Sequence, residues 1–220
     1  MVPLTPSTTK IDRDAAAPAP AAIGWRVHSG WASQIALAGP LRAPAVVERR
    51  RVDLVDPAGP GATQPYHAAR LLPPDEAERW IGRCRDATLH LARQALHATL
   101  ESLRRQGYRA VACALLDSSA RPLPSFAAVL ASHALVHTAE GELFRDALAA
   151  AARADGLPVA RVRERDLLDR CAAMPGITPE RLRRHLAELG AILGPPWRQD
   201  EKLAALAAWL ALASTPATAA

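Results

Sequence analysis

Five short segments rich in apolar residues are spaced along the chain like the strands of one sheet. The first two are separated by Ser29-Gly30-Trp31, and a glycine between two such segments predicts a β-hairpin. The third alternates apolar and charged residues, which predicts a strand with one partly solvated face. The fourth is apolar throughout, as is typical of a central strand buried on both faces. The predicted strands span 22–28, 32–38, 46–55, 110–116 and 159–162.

Several segments between and after these strands carry apolar residues at the spacing of an α-helix. The longest predicted helix runs from 75 to 106 and ends at Gly107, which occupies a position typical of a helix terminus. A second helical stretch, 125–155, is expected to break near Thr138 or Gly141, and the segment 57–74 is expected to be a loop. Shorter helices are predicted at 165–172, 179–189 and 200–212.

This order of elements predicts the α/β class of fold. Because a crossover between parallel strands is right-handed, the fourth and fifth strands should lie parallel to the first. We therefore expect a mixed five-stranded sheet, with a three-strand antiparallel meander plus two parallel strands, flanked by helices. One domain should span 21–213, between a disordered leader, 1–20, and a disordered tail, 214–220, both poor in large apolar residues.

Composition and charge favour one class of partner and disfavour several functions. The net charge of +5 and the pI of about 9.7 favour an anionic partner such as nucleic acid, although a GC-rich coding bias also explains the many arginines. Three distant cysteines predict neither a disulfide framework nor a zinc knuckle. Without a signal peptide or a long apolar stretch, a cytoplasmic protein free of the membrane is expected, with a homodimer as a candidate assembly.

The first candidate site lies at the carboxyl ends of the parallel strands, where α/β sheets commonly bind ligands. His28 ends the first strand, Asp117 ends the fourth, and Asp200-Glu201-Lys202 begins the last helix. We expect these places to converge, with His28 and the three carboxylates holding a divalent metal and Lys202 contacting a phosphate. The alternative is structural, with Asp117 opening a turn and Asp200 capping the helix.

The second candidate site is a polar cluster inside an otherwise apolar helix. His133, His137 and Glu140 are spaced i, i+4 and i+7, which places them on one helical face. Two imidazoles and a carboxylate so arranged can ligate a divalent metal. Alternatively, the histidines are half-buried polar residues and Glu140 forms an ion pair with Arg145 or Arg121.

A third set of residues is suited to nucleic acid. Trp31 and Tyr66, if exposed near the site, can stack on bases, with His67 and Arg121 as further contacts. The alternative for Trp31 is packing at the edge of the sheet. The chain has no GxxxxGK[ST], GxGxxG or GxSxG pattern, which disfavours nucleotide binding by those loops and α/β-hydrolase chemistry.

In this order of elements, the chain from 21 to 213 resembles the ribonuclease H-like superfamily, and within it the RuvC-type Holliday-junction resolvases. Asp117 resembles that family's second catalytic position, and Asp200 followed by Leu203-Ala204-Ala205-Leu206-Ala207 is similar to its last helix. The resemblance implies a cofactor of Mg²⁺ or Mn²⁺ held by carboxylates. The chain departs from the family at its first acid, which is replaced by His28; Glu140 is a candidate for the missing carboxylate.

Three functional hypotheses follow. The first is a metal-dependent nuclease acting on structured nucleic acid, with Asp117, Glu140, Asp200 and Lys202 as its catalytic residues. The second is a catalytically inactive binding or scaffold module of the same fold. The third is a metal hydrolase centred on His133, His137 and Glu140. The first two differ in whether His28, Asp117 and Asp200 converge within metal-bridging distance.

Overall fold

The computed structural model describes residues 17–56, 63–117 and 122–215. The strands are β1 (Ala19–His28), β2 (Trp31–Ala38), β3 (Ala45–Asp53), β4 (Tyr108–Asp117) and β5 (Val159–Arg163). The helices are α1 (Pro65–Ala69), α2 (Pro74–Arg105), α3 (Phe126–Ala131), α4 (His133–Ala154), α5 (Leu167–Ala172), α6 (Pro179–Leu193) and α7 (Gln199–Ala213). A short 3₁₀ turn, Glu164–Asp166, precedes α5.

The five strands form one mixed sheet in the order β3-β2-β1-β4-β5. β1, β2 and β3 are antiparallel neighbours, with His28 opposite Trp31 across the hairpin. β4 lies parallel to β1, and β5 lies parallel to β4. The predicted fold class, a meander of three strands extended by two parallel strands and flanked by helices, is confirmed.

Helices cover both faces of the sheet and produce two apolar cores. Alternate side chains of β1 and β4, including Trp25 and Leu115, pack in the first core with α2 and α4. The other side chains of the sheet, including Ile35 and Leu116, pack in the second core beneath α7. The two parities of each strand therefore point to different helical layers, and this decides which polar residues can meet at the end of the sheet.

α7 lies unusually close to β1. A Cβ atom built on Gly24 would stand 2.0 Å from the carbonyl oxygen of Ala204 and 2.4 Å from the amide nitrogen of Ala208. Only glycine permits this approach of helix and strand backbones. The contact fixes the height of α7 over the sheet, and with it the position of Asp200 in the first turn of that helix.

Two predicted boundaries are wrong. The helical stretch 125–155 breaks at Ser132, not near Thr138 or Gly141, because Ser132 is extended and its hydroxyl accepts a hydrogen bond from the amide of Leu135. The segment 57–74, predicted as a loop, contains the short helix α1, which begins at Pro65. Proline suits the first helical position because its fixed φ matches the helix.

The ends of the described chain add two details. β1 already begins at Ala19, two residues inside the predicted leader, and residues 1–16 and 216–220 lie outside the described residues. At the other end, the amide of Ser214 donates to the carbonyl of Leu210 and continues the last turn of α7. Among the residues that the structure covers, no helix has the length and apolar character needed to cross a membrane.

Candidate functional site

His28 and Asp200 meet at the carboxyl end of β1. His28 is the last residue of the strand. Its side chain lies on the same face as Ala22 and Gly24, which face α7, and Asp200 occupies the first turn of that helix. Nε2 of His28 lies 3.0 Å from Oδ1 of Asp200, although not at an angle that makes a hydrogen bond. Both side chains are half-buried. The structure thus brings together two of the three places where convergence was expected.

Asp117 points to the opposite face of the sheet. It shares the parity of Cys113 and Leu115, which pack in the core beneath α2 and α4. Its carboxylate accepts hydrogen bonds from Nε and Nη2 of Arg161 at 3.0 and 2.6 Å, and it lies 3.5 Å from Nε of Arg145. The structure therefore separates Asp117 from the His28–Asp200 pair by the thickness of the sheet and gives it arginine partners.

Arg161 is the centre of this ion-pair network. Besides Asp117, its guanidinium contacts Glu142 through Nη2 and Asp146 through Nη1, the latter at 2.8 Å. Burial lowers the pKa of Arg161, but hydrogen bonds to Asp117 and Glu142 raise it and outweigh burial, so the pKa is raised overall. Arg145 pairs with Glu142 at 3.0 Å. The carboxylates of this network are thus compensated by arginines of the protein itself.

Glu201 and Lys202 follow Asp200 on α7 but have different surroundings. Oε2 of Glu201 accepts a hydrogen bond from the backbone amide of Arg198 at 2.7 Å, so this carboxylate caps the helix. Asp200 is therefore not the capping residue that the structural alternative proposed. Lys202 is partly exposed one residue further along the helix.

A cleft of about 320 Å³ opens beside the His28–Asp200 pair. Trp31 forms part of its wall: one ring face stacks on His28 with centroids 4.3 Å apart, and the guanidinium of Arg51 lies 4.0 Å from the ring centroid. Both faces of the indole are thus occupied, so Trp31 is not free to stack on a base, and it lies at the start of β2, an inner strand, rather than at the sheet edge. The cleft is lined by Trp31, Ser33, Arg49, Arg50, Arg51, Pro196, Arg198, Asp200 and Glu201.

The histidine cluster predicted on the later helix is present, with an additional member. Nε2 of His133 and Nε2 of His137 lie 3.1 Å apart on the first turns of α4. Glu140, which is buried, accepts hydrogen bonds from the backbone amide and from Nδ1 of His67, at 3.2 and 2.8 Å. His67, His133 and His137 can each offer one ligand atom, and these three atoms lie within 4.8 Å of one another.

Tyr66 is not available for the stacking expected of it. Tyr66 is buried, with its ring 6.3 Å from that of Phe126, so it is not exposed for stacking on a base. Burial raises the pKa of the Tyr66 hydroxyl, partly offset by Arg85. Arg121 lies outside the described residues. Sequence reasoning missed the role of His67 in the histidine cluster, and the only local signal was the Pro65 that starts its short helix.

Comparisons with known proteins give matches among solved structures alone. Neither the protein families nor the curated proteins compared with the sequence include a match. Among solved structures, RuvC of Thermus thermophilus in complex with a Holliday junction substrate is similar at 14% identity and a TM-score of 0.49, over 86% of this chain and 90% of that one. A second structure of Thermus thermophilus RuvC gives 14% identity and a TM-score of 0.46, over 86% and 92%. A likeness at this level carries no information on the site.

Proposed function

We propose that this protein is a nucleic-acid-binding module of ribonuclease H-like fold that does not cleave its ligand. The observation that carries the proposal is the position of Asp117, which lies on the opposite face of the sheet from Asp200 and is bound by Arg161 and Arg145. A cleavage centre with two metals needs its carboxylates on one side of the scissile phosphate. The remaining features at the sheet end suit binding.

The residues at the sheet end do not fit a pair of magnesium or manganese ions. Magnesium prefers oxygen ligands in an octahedral arrangement, and His28 supplies an imidazole where a carboxylate would be needed. Within the described residues, Asp200 is the carboxylate that remains beside it, since Glu201 caps α7 and Asp117 belongs to the arginine network. This geometry therefore supports no cleavage step.

The arginines of the cleft supply the positive charge for binding. Arg49 donates to the backbone carbonyls of Gly194 and Pro196 at 2.9 and 2.8 Å, which anchors the segment before α7. Arg51 and Arg198 are exposed and both line the cleft. Exposed guanidinium groups bind phosphate oxygens through paired hydrogen bonds.

Trp31 has a positioning role in this proposal rather than a stacking one. Its indole holds Arg51 on one side, and Asp53 holds the same guanidinium at 3.0 Å, so Arg51 is oriented before a ligand arrives. A preorganised side chain loses less conformational entropy on binding. The cleft thus offers a phosphate two exposed arginines, one of them supported by an aromatic ring.

Fluorescence anisotropy with a labelled single strand and a labelled four-way junction tests the proposal. The double variant Arg51→Gln/Arg198→Gln should bind more weakly, and the slope of log K against log salt should become shallower by roughly 0.7–0.9 for each phosphate that is no longer neutralised. The matched control is Arg93→Gln/Arg105→Gln, which removes the same charge from exposed positions on α2, beyond the opposite face of the sheet.

Three outcomes would contradict the proposal. Equal weakening in both double variants would show that only net charge matters, and absence of binding to either nucleic acid would remove the function. Cleavage of the junction by the wild type in Mg²⁺ or Mn²⁺, abolished in Asp117→Asn or Asp200→Asn, would restore the nuclease hypothesis. The expected result is binding of intact nucleic acid in both metals.

A further inference from the structure

Three histidines from two separate parts of the chain converge beside α4. His133 and His137 occupy its first two turns, and His67 comes from α1, which packs against α4. The ring centroids are 4.5 Å apart for His133 and His137, 4.7 Å for His67 and His137, and 5.3 Å for His67 and His133. The rings are steeply inclined to one another rather than stacked, and one nitrogen of each lies within 4.8 Å of a nitrogen of the other two.

Glu140 orients one histidine of this cluster. The backbone amide and the Nδ1 of His67 both lie within hydrogen-bonding distance of Oε1 of Glu140. When Nδ1 donates to the carboxylate, Nε2 of His67 carries a free lone pair. A carboxylate that holds one imidazole nitrogen so that the other can bind a metal is a common arrangement around zinc.

The charge of Glu140 provides an independent argument. Its side chain is 2% exposed, and the ion pairs that the described residues make with it are with His67 and, at 3.9 Å, His137. The largely buried carboxylate of Asp117, by contrast, has arginine partners. A buried carboxylate needs a positive charge nearby, and a divalent cation held by the neutral histidines would supply it.

We propose that His67, His133 and His137 form a zinc site, with Glu140 as a positioning residue that orients His67. Zinc bound to imidazole at about 2.0–2.1 Å in tetrahedral geometry places ligand nitrogens about 3.4 Å apart. The 3.1 Å between the Nε2 atoms of His133 and His137 is close to that separation. Small side-chain movements would bring the third nitrogen into place.

The ligand set also determines the character of the site. Three imidazoles leave the fourth tetrahedral position open, and three protein ligands with an exchangeable water are typical of catalytic rather than structural zinc. His133 and His137 are exposed, so the open position faces solvent. The three histidines and the cleft lined by Arg51 and Arg198 lie on opposite sides of the sheet. Zinc binding at the histidines therefore does not require nucleic acid in the cleft.

Metal titration of the full chain, after treatment with a chelator, tests the site. Isothermal titration with Zn²⁺ should give one ion per chain, and Co²⁺ should give the intense visible absorption of a four-coordinate ion. His67→Ala and His133→Ala should abolish both signals, and Glu140→Gln should weaken zinc affinity by roughly 10–100-fold. His97→Ala is the matched control, since His97 is an exposed histidine of α2 paired with Asp155, and it should leave the titration unchanged.

The folded state of each variant is checked by circular dichroism without metal. His133 is exposed, so its truncation should leave the metal-free spectrum and melting temperature unaltered. Zinc binding that is equal in the wild type, His67→Ala and His133→Ala would overturn the proposal, as would absence of stoichiometric zinc binding by the folded wild type. Glu140→Gln with unchanged zinc affinity would remove the positioning role of Glu140 and leave the three ligands standing.

Discussion

The close approach of α7 to β1 makes Gly24→Ala a severe substitution. The added methyl group would stand 2.0 Å from the carbonyl oxygen of Ala204, where an ordinary contact is at least 3.4 Å. The carbonyl oxygen of Ala204 is a backbone atom and cannot swing aside, so α7 or β1 would have to move by about 1.4 Å to restore an ordinary contact. The substitution therefore acts on the packing of a whole helix.

The expected loss of stability can be estimated from the packing around α7. Overpacking a buried site costs about 1–3 kcal/mol, and a collision between two backbones belongs at the upper end of that range or above it. α7 buries its side chains from Leu203 to Leu212 against the sheet and its neighbours. We expect Gly24→Ala to lower the free energy of unfolding by at least about 3 kcal/mol.

Urea unfolding followed by tryptophan fluorescence measures this change, since Trp25 and Trp209 are both fully buried. The control is Gly82→Ala in α2, where nothing lies within 4 Å of the new methyl group and the helix should gain about 0.5–1 kcal/mol. A Gly24→Ala protein within about 1 kcal/mol of the wild type would refute the packing argument.

Two further predictions concern the ion-pair network and the thiols. Asp117→Asn should lower the free energy of unfolding by about 2 kcal/mol, because it leaves arginines poorly compensated, whereas Asp146→Asn, at an exposed position, should cost under about 1 kcal/mol; equal midpoints in urea would contradict this. In the native protein the partly exposed Cys84 should react first with a thiol reagent, because Cys113 and Cys171 are buried, and burial raises the pKa of Cys113 above its ordinary value and raises the pKa of Cys171 to about 12. Since the buried thiols have a higher pKa in the folded state, their contribution to the unfolding free energy should be constant below about pH 9 and should fall as pH rises further; rapid native reaction of Cys113 and Cys171 would refute their burial.

The strands and long helices could be predicted because burial on one face produces a periodic pattern in the sequence. Alternation in the third strand and the 3.6 spacing of α2 gave elements within a few residues of those observed. The five-residue helix α1 is too short to show a period. The break at Ser132 was missed because alanines and leucines on both sides favour a continuous helix, and one serine hydroxyl decides the interruption.

The candidate sites could be predicted only where their residues are close in sequence. The spacing of His133 and His137 fixes their common helical face, but nothing local indicates that His67 joins them from another helix. Asp117 was harder to place, since β4 is apolar on both parities and gives no sign of which core its last residue faces. On the α7 side of the sheet the Asp117 side chain would approach Asp200, and on the side where it lies it meets Arg161.

The position of α7 in the chain has a consequence for how the protein is made. α7 covers β1, β2 and β4, yet it is synthesised after all five strands. Until residue 213 has left the ribosome, α7 cannot fully cover the apolar side chains of its sheet face, which include Ala22, Ile35 and Leu116. Exposed apolar sheet surface promotes aggregation, so any sheet formed during that interval is at risk until α7 packs on it.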